Sequence, residues 1–332
     1  MQALLSRRLL AALALLATIV LAAGLTGSAA GTHRATPTLK VALIAPSAHN
    51  DLAFTQSMYS ALKTLQAQYH FKLSVSENQF VVSDAANIIR QYAAQGYNLI
   101  VAHGSQYGGT IQQLAPKYPK VSFAWGTASS TFGLPNVFAY QAASNQGGYV
   151  QGFMASLLSK SHVIGEIGPI AVGDAKLYVD GFKAGALAAN PESSVLVSYT
   201  GSFSDPSLMS KQATVYLAQK ADVLTGSSQS VVGAITVAKG ADIAWFGTQW
   251  TQASLAPQQV VSSQVYDWTG ILGKMLNAVQ AGKLGGSSYT INLANGGEKI
   301  QLNPGFKLPG TVKTQMQKTI AGIENGSIKV PA

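Results

Sequence analysis

Residues 98–127 read NLIVAHGSQYGGTIQQLAPKYPKVSFAWGT, and residues 221–248 read ADVLTGSSQSVVGAITVAKGADIAWFGT. Each begins with a short apolar run and reaches a Gly-Ser turn, at Gly104-Ser105 and Gly226-Ser227. Each then passes through a helix-like stretch and returns as an apolar run ending in Gly-Thr, at Gly126-Thr127 and Gly247-Thr248. From Gly-Ser to Gly-Thr is 22 residues in the first copy and 21 in the second. Strand, helix and strand with short connections predict right-handed crossovers onto a parallel sheet. Two such units predict two lobes of like topology. Chance recurrence of small turn residues in any α/β unit is the other reading of the same likeness.

The rest of the chain alternates in the same way. Before the first copy, strands are expected over 39–45 and 71–75, with helices over 53–69 and 83–94. Phe54, Met58, Ala61, Leu62, Leu65 and Tyr69 fall on one stripe of the first helix. The first copy itself predicts a helix over 110–118 between strands at 98–102 and 121–125, and another strand follows at 137–140. A small-residue helix over 145–158, with Gly147, Gly148, Gly152 and Ala155, is suited to close packing. Strands at 163–167 and 195–199 flank a helix over 174–189, and Ser204-Asp205-Pro206 caps the next helix. Strands at 222–225, 243–246 and 260–263 precede a helix over 267–281. Residues 289–293 and 299–302 are expected to form a terminal ribbon, and 311–324 a last helix.

Composition narrows the function. The 332 residues are 47% hydrophobic, enough for a large packed core. Only 11% are charged, against roughly 25% in an average globular domain, so uncharged polar residues carry much of the surface. The absence of cysteine excludes disulfides, thiol catalysis and Fe–S clusters. The net charge of +9 is spread over scattered lysines without a basic stripe, so no nucleic-acid partner is expected. Arg7 and Arg8, the apolar stretch that follows and Gly27-Ser28-Ala29-Ala30 have the order of a secretory signal over residues 1–30, with a linker over 31–38. An uncleaved membrane anchor is the alternative. Leu25-Thr26-Gly27-Ser28 resembles a lipoprotein box with Ser28 where the acylated Cys would stand, so no lipidation is expected there.

Chemistry is sparse. The histidines, His33, His49, His70, His103 and His162, lack metal-site spacing, and no metal or cofactor is expected. No nucleophile elbow or phosphate loop occurs. Ser105 beside His103 leaves a cleft hydrolase as a minor reading, and the chain is not expected to be an enzyme. Ligands in open parallel sheets bind beyond the carboxyl ends of strands, where the Gly-Ser and Gly-Thr loops lie. Ser105, Ser227, Thr248 and Gln249 are therefore candidate polar contacts. After the first strand, Asn50 and Asp51 offer hydrogen bonds and Phe54 a stacking face, a combination suited to a flat heterocycle or a sugar. Core packing competes for Phe54, and helix capping for Asp51. Tyr107, Trp125 and Trp250 follow strand ends as core residues or cleft walls, and Trp250, set among polar neighbours, reads as a wall.

The chain from about Lys40 to Phe306 resembles the basic membrane protein family of solute-binding proteins, which includes purine-nucleoside receptors of ABC importers. The segments that carry the likeness are Lys40-Val-Ala-Leu-Ile with Asn50-Asp51-Leu-Ala-Phe54-Thr-Gln56, and Gly147-Gly-Tyr-Val-Gln-Gly152 through Ile164-Gly165. Gly181-Phe182-Lys-Ala-Gly185, Ser202-Phe203-Ser-Asp205-Pro206, Ala221-Asp222-Val223 and Ser262-Ser-Gln-Val-Tyr-Asp267-Trp268 continue it. The resemblance implies an α/β type I periplasmic-binding-protein fold, two Rossmann-like lobes with parallel sheets and a hinge of about three crossovers. One lobe would comprise 39–142 with roughly 265–288, the other 143–264 with roughly 289–310, and 311–332 would be a C-terminal helix and tail. It implies an exported, monomeric receptor that captures a nucleoside or a similar aromatic or hydroxylated solute and presents it to an ABC permease. A ligand-sensing module that signals to a membrane partner is the alternative. In the family's first-loop motif Asp51, Phe54 and Gln56 match, while Thr55 replaces an Asn. The family's ribose-holding acid is missing near Thr248 and Gln249, and the segment around Trp125 lacks an acid that relatives often carry.

Overall fold

The computed structural model describes residues 38–331, so the expected signal peptide, almost all of the linker and Ser28 lie outside the described residues. The first sheet contains β1 (Lys40–Ile44), β2 (Lys72–Ser76), β3 (Leu99–His103), β4 (Ser122–Gly126), β5 (Val137–Ala142) and β11 (Ser287–Ile291). Their order is β11-β5-β4-β3-β1-β2, and every pairing is parallel. The second contains β6 (Val163–Gly168), β7 (Ser194–Tyr199), β8 (Val223–Gly226), β9 (Ala244–Gly247), β10 (Val260–Tyr266) and β12 (Glu298–Leu302). Its order, β12-β10-β9-β8-β6-β7, repeats the first, except that β12 runs antiparallel to β10. The two quoted sequence copies thus occupy equivalent places, β3–β4 in one sheet and β8–β9 in the other.

Helices cover both faces of each sheet, which is why central strands are apolar at successive positions rather than alternating. On the first sheet, α1 (Phe54–Tyr69) and α8 (Thr269–Gln280) pack on one side; Met58, Leu62, Leu272 and Met275 join Val41, Leu43 and Val101 there. On the other side, Ile89 of α2 (Val82–Ala94) and Ile111 of α3 (Gly108–Leu114) join Ile44 and Ile100. Each Leu- or Ile-sized side chain buried in this way contributes roughly 1.5–3 kcal/mol of transfer free energy. The helix expected over 110–118 ends at Leu114, and Pro116 sits in a separate tight turn at Ala115–Lys117.

The second sheet is built alike. Met154 of α4 (Ser144–Leu158), Tyr178 and Phe182 of α5 (Gly173–Ala189), and Val312, Met316 and Ile323 of α9 (Gly310–Glu324) form one core. Met209 and Ala213 of α6 (Pro206–Ala218) and Ile235 of α7 (Val232–Gly240) form the other. Asp205 caps α6, its carboxylate accepting from the Ser207 amide at 2.8 Å ahead of Pro206 at the first helical position.

The chain passes three times between the sheets: at Ala143, at Asp267-Trp268 and between β11 and β12. These segments lie side by side, because Ala143 N donates to Ile291 O (2.8 Å) and Asp267 N to Gly297 O (2.7 Å). The expected terminal ribbon does not form: β11 pairs with β5 and β12 with β10, in different sheets. Ile291 and Tyr289 are apolar toward the first core, Ile300 and Leu302 toward the second, so each strand buries its face only in its own sheet. The chain therefore leaves the first sheet after Ile291. Among the described residues, no helix is long and apolar enough to cross a membrane.

Candidate functional site

The carboxyl ends of both sheets' strands converge on one cavity with about 410 Å³ of atom-free space, part of it open to solvent. From the first lobe come Pro46 after β1, Phe80 after β2, Ser105 and Gln106 after β3 and Thr127 after β4. From the second come Asp174 after β6, Phe203 after β7, Gln229 after β8 and Gln249 after β9. Phe54, at the first position of α1, completes the wall.

Phe54 is held rigidly. Its ring stacks on the His103 imidazole at 3.7 Å between centroids and 12° between planes. His103, wholly buried at the end of β3, has its Nε2 3.0 Å from Phe54 O and its Nδ1 2.9 Å from the Tyr140 hydroxyl. A carbonyl only accepts, so Nε2 carries the hydrogen and Tyr140 donates to Nδ1. Burial pushes the His103 pKa down to about 3, against the raising effect of the Phe54 carbonyl. The imidazole is therefore neutral at ordinary pH, with both nitrogens occupied. It is not poised as a base for Ser105, so the hydrolase arrangement is not assembled. Trp268 packs edge-on against His103 and Tyr140, and donates from Nε1 to Ser57 Oγ at 2.9 Å.

Among the described residues, Asp174 is the one ionisable group lining the cavity. It stands in the first turn of α5, 9% exposed. Its Oδ1 accepts from Thr127 Oγ1 at 3.0 Å, a bond that spans the two lobes. Its Oδ2 is buried without a hydrogen-bond partner. Burial raises its pKa to about 6, opposed by the Thr127 hydroxyl and by the amides of Asp174 and Ala175. The preceding Gly173 has φ +52°, and a Cβ there would come within 3.0 Å of Thr127 Oγ1, so glycine suits both the turn and the close approach. Gln249 has φ +68°, costly for a non-glycine residue, and is 5% exposed. Its Oε1 and that of Gln229 are also buried without partners.

The candidates named from sequence divide. Phe54, Ser105 and Gln249 line the cavity. Asp51 instead ties the loop to the start of α1: its carboxylate accepts from Ser47 Oγ (2.5 Å), from the Ala53 amide (2.8 Å) and from the first-turn amides of Thr55 (3.1 Å) and Gln56 (3.0 Å). Asn50 is exposed on the same loop, outside the lining. Tyr107 is core, fully buried, with its hydroxyl donating to Gln79 O at 2.7 Å. Trp125 stacks on Phe132 at 4.6 Å and abuts Gly108. Ser227 is buried, its amide donating to Ile167 O at 3.2 Å, and Thr248 Oγ1 donates to Gly226 O at 3.0 Å. Trp250 lines a different groove, with Ser60, Thr64, Asp267 and Lys299, and does not face Phe54 across the cavity. The aromatics in the cavity besides Phe54 are Phe80 and Phe203. They follow β2 and β7, which hold equivalent places in their sheets. Once two matching sheets are expected, that equivalence is the signal that finds them. Asp174, at the start of α5 after β6, is the counterpart of Phe54 at the start of α1 after β1, so the same equivalence points to it.

Residues 38–331 match the family described as ABC transporter substrate-binding protein, PnrA-like. A purine-binding protein of Brucella abortus is 28% identical over 300 residues, covering 90% of this chain and 84% of the relative. An ABC transporter nucleoside-binding protein of Lactococcus lactis is 26% identical over 345 residues, covering 97% of each. An ABC transporter solute-binding protein of Conexibacter woesei shares the fold with a TM-score of 0.74 at 24% identity, covering 89% of this chain and 99% of that one.

Proposed function

Because the chain belongs to the PnrA-like family of ABC transporter substrate-binding proteins, we propose that it is the exported receptor of an ABC importer, with a purine nucleoside or a similar aromatic solute as ligand. The observation that carries this reading is Phe54: a flat ring fixed from behind by His103 and bordering a cavity between two hinged lobes. An aromatic ligand stacks on that ring while Ser105, Gln106 and Gln229 offer hydrogen bonds around its edge. Binding needs no bond made or broken. Closure of the lobes removes the ligand from water, and the closed form is what a permease recognises. The purine- and nucleoside-binding relatives support the ligand class.

Titration of the purified protein with adenosine, guanosine, inosine and cytidine by calorimetry tests the reading. Saturable heat and a raised melting temperature with at least one nucleoside are the expected result. Absence of both with all four overturns the ligand class.

A further inference from the structure

Three of the residues that line the cavity carry a buried acceptor oxygen without a donor: Asp174 Oδ2, Gln229 Oε1 and Gln249 Oε1. The amide groups can be turned about to present nitrogen instead. The carboxylate has no such freedom. Asp174 is nine-tenths buried, and among the described residues Thr127 is the one side chain that donates to it. Among the described residues, the cavity lining contains no Lys, Arg or His to offset its charge, although the whole chain carries a net +9. The ion pairs among the described residues, His49–Glu77, Lys176–Asp180 and Lys299–Asp267, all lie elsewhere. A buried carboxylate oxygen left unpaired is costly, and a bound donor recovers that cost.

We infer that Asp174 is a specificity-determining residue that selects an aromatic ligand bearing an amino or protonated ring nitrogen, which donates to Oδ2, and that the site rejects anionic ligands. The inference rests on the proposed receptor reading and names the substrate class within it. Thr127 acts as the positioning residue, because its hydroxyl occupies Oδ1 and leaves Oδ2 as the unpartnered acceptor. The carboxylate comes from one lobe and Thr127 and Phe54 from the other, so stacking on Phe54 and donation to Asp174 are made together only in the closed arrangement.

The test compares adenosine with purine riboside, which lacks the exocyclic amine, and with adenosine 5′-monophosphate, in the wild-type protein and in Asp174→Asn. The expected result is at least tenfold tighter binding of adenosine than of purine riboside in the wild type. No detectable binding of the monophosphate and collapse of the adenosine preference to within about threefold in the variant complete it. The wild-type ratio needs no variant to fold, and the melting curve of Asp174→Asn reports whether that variant does. Equal wild-type affinities for the two nucleosides overturn the inference while leaving the receptor reading intact. A preference that survives in folded Asp174→Asn overturns the assignment to Asp174. Tight binding of the monophosphate overturns the exclusion of anions. Absence of binding by both nucleosides overturns the nucleoside reading, and the inference with it.

Discussion

Asp51 and Asp174 show how little residue type says about role. Both are carboxylates close to the start of a helix. Asp51 is consumed by four donors from its own loop and the first turn of α1, while Asp174, which lines the cavity, keeps Oδ2 buried without a partner. The raised pKa of Asp174 has a stability consequence. The folded protein holds this proton more tightly than the unfolded chain does, so the contribution of this group to stability is greatest below the unfolded pKa near 3.8. It declines as pH rises toward about 6 and is level above that. The full difference corresponds to roughly 3 kcal/mol. Asp174→Asn is expected to melt at a higher temperature than the wild type at pH 7.5 without ligand, with the gap closing by pH 4. Equal melting temperatures at both values would count against the burial cost. Phe54→Leu keeps most of the apolar volume and removes the stacking face. It is expected to weaken adenosine binding about 10- to 100-fold, matching base–aromatic stacking of about 1–3 kcal/mol, with a stability loss under about 1.5 kcal/mol. Calorimetry and urea unfolding measure the two effects separately.

At the scale of elements, the second lobe depends on the close contact of α4 and α5. Cβ atoms added at Gly152 or Gly185 would run into the backbone of Phe182 and Tyr149, and one at Gly181 into that of Asn145. Backbone on the facing helix cannot swing aside like a side-chain tip. Gly152→Ala and Gly185→Ala are each expected to cost about 2 kcal/mol or more in urea unfolding. Gly240→Ala, at the end of α7 with no atom within 4 Å of the added Cβ, is expected to be neutral or to stabilise by up to about 1 kcal/mol. A similar cost at all three sites would refute the packing account. The small residues of α4 were legible as a close-packing face, because helical spacing is local information. That the facing surface is α5 was not, since two helices must first be laid on the same sheet.

At the scale of the molecule, three adjacent passages join two sheets of matching order, and the lobes meet through Thr127–Asp174 and a longer contact, 3.4 Å, from Gln252 Nε2 to Leu52 O. Few bonds span the gap, and the hinge strands run side by side, so opening costs little and ligand contacts can shift the balance. Solution scattering is expected to give a larger radius of gyration for the free protein than for the nucleoside-saturated one. Identical profiles would argue against closure as the signal to a permease.

Local sequence patterns were enough for the alternation of strand and helix, the parallel sheets, the matching of 98–127 with 221–248 and the placement of cavity-lining loops at strand ends. All of these follow from hydrophobic period and turn chemistry over short windows. Long-range packing settled that β11 and β12 part to different sheets, that Trp250 faces another groove, and that the loops holding Phe80, Phe203 and Asp174 close on the same cavity as Phe54. Those outcomes depend on which side chains from distant segments share a space once both lobes have packed, and no local pattern encodes that.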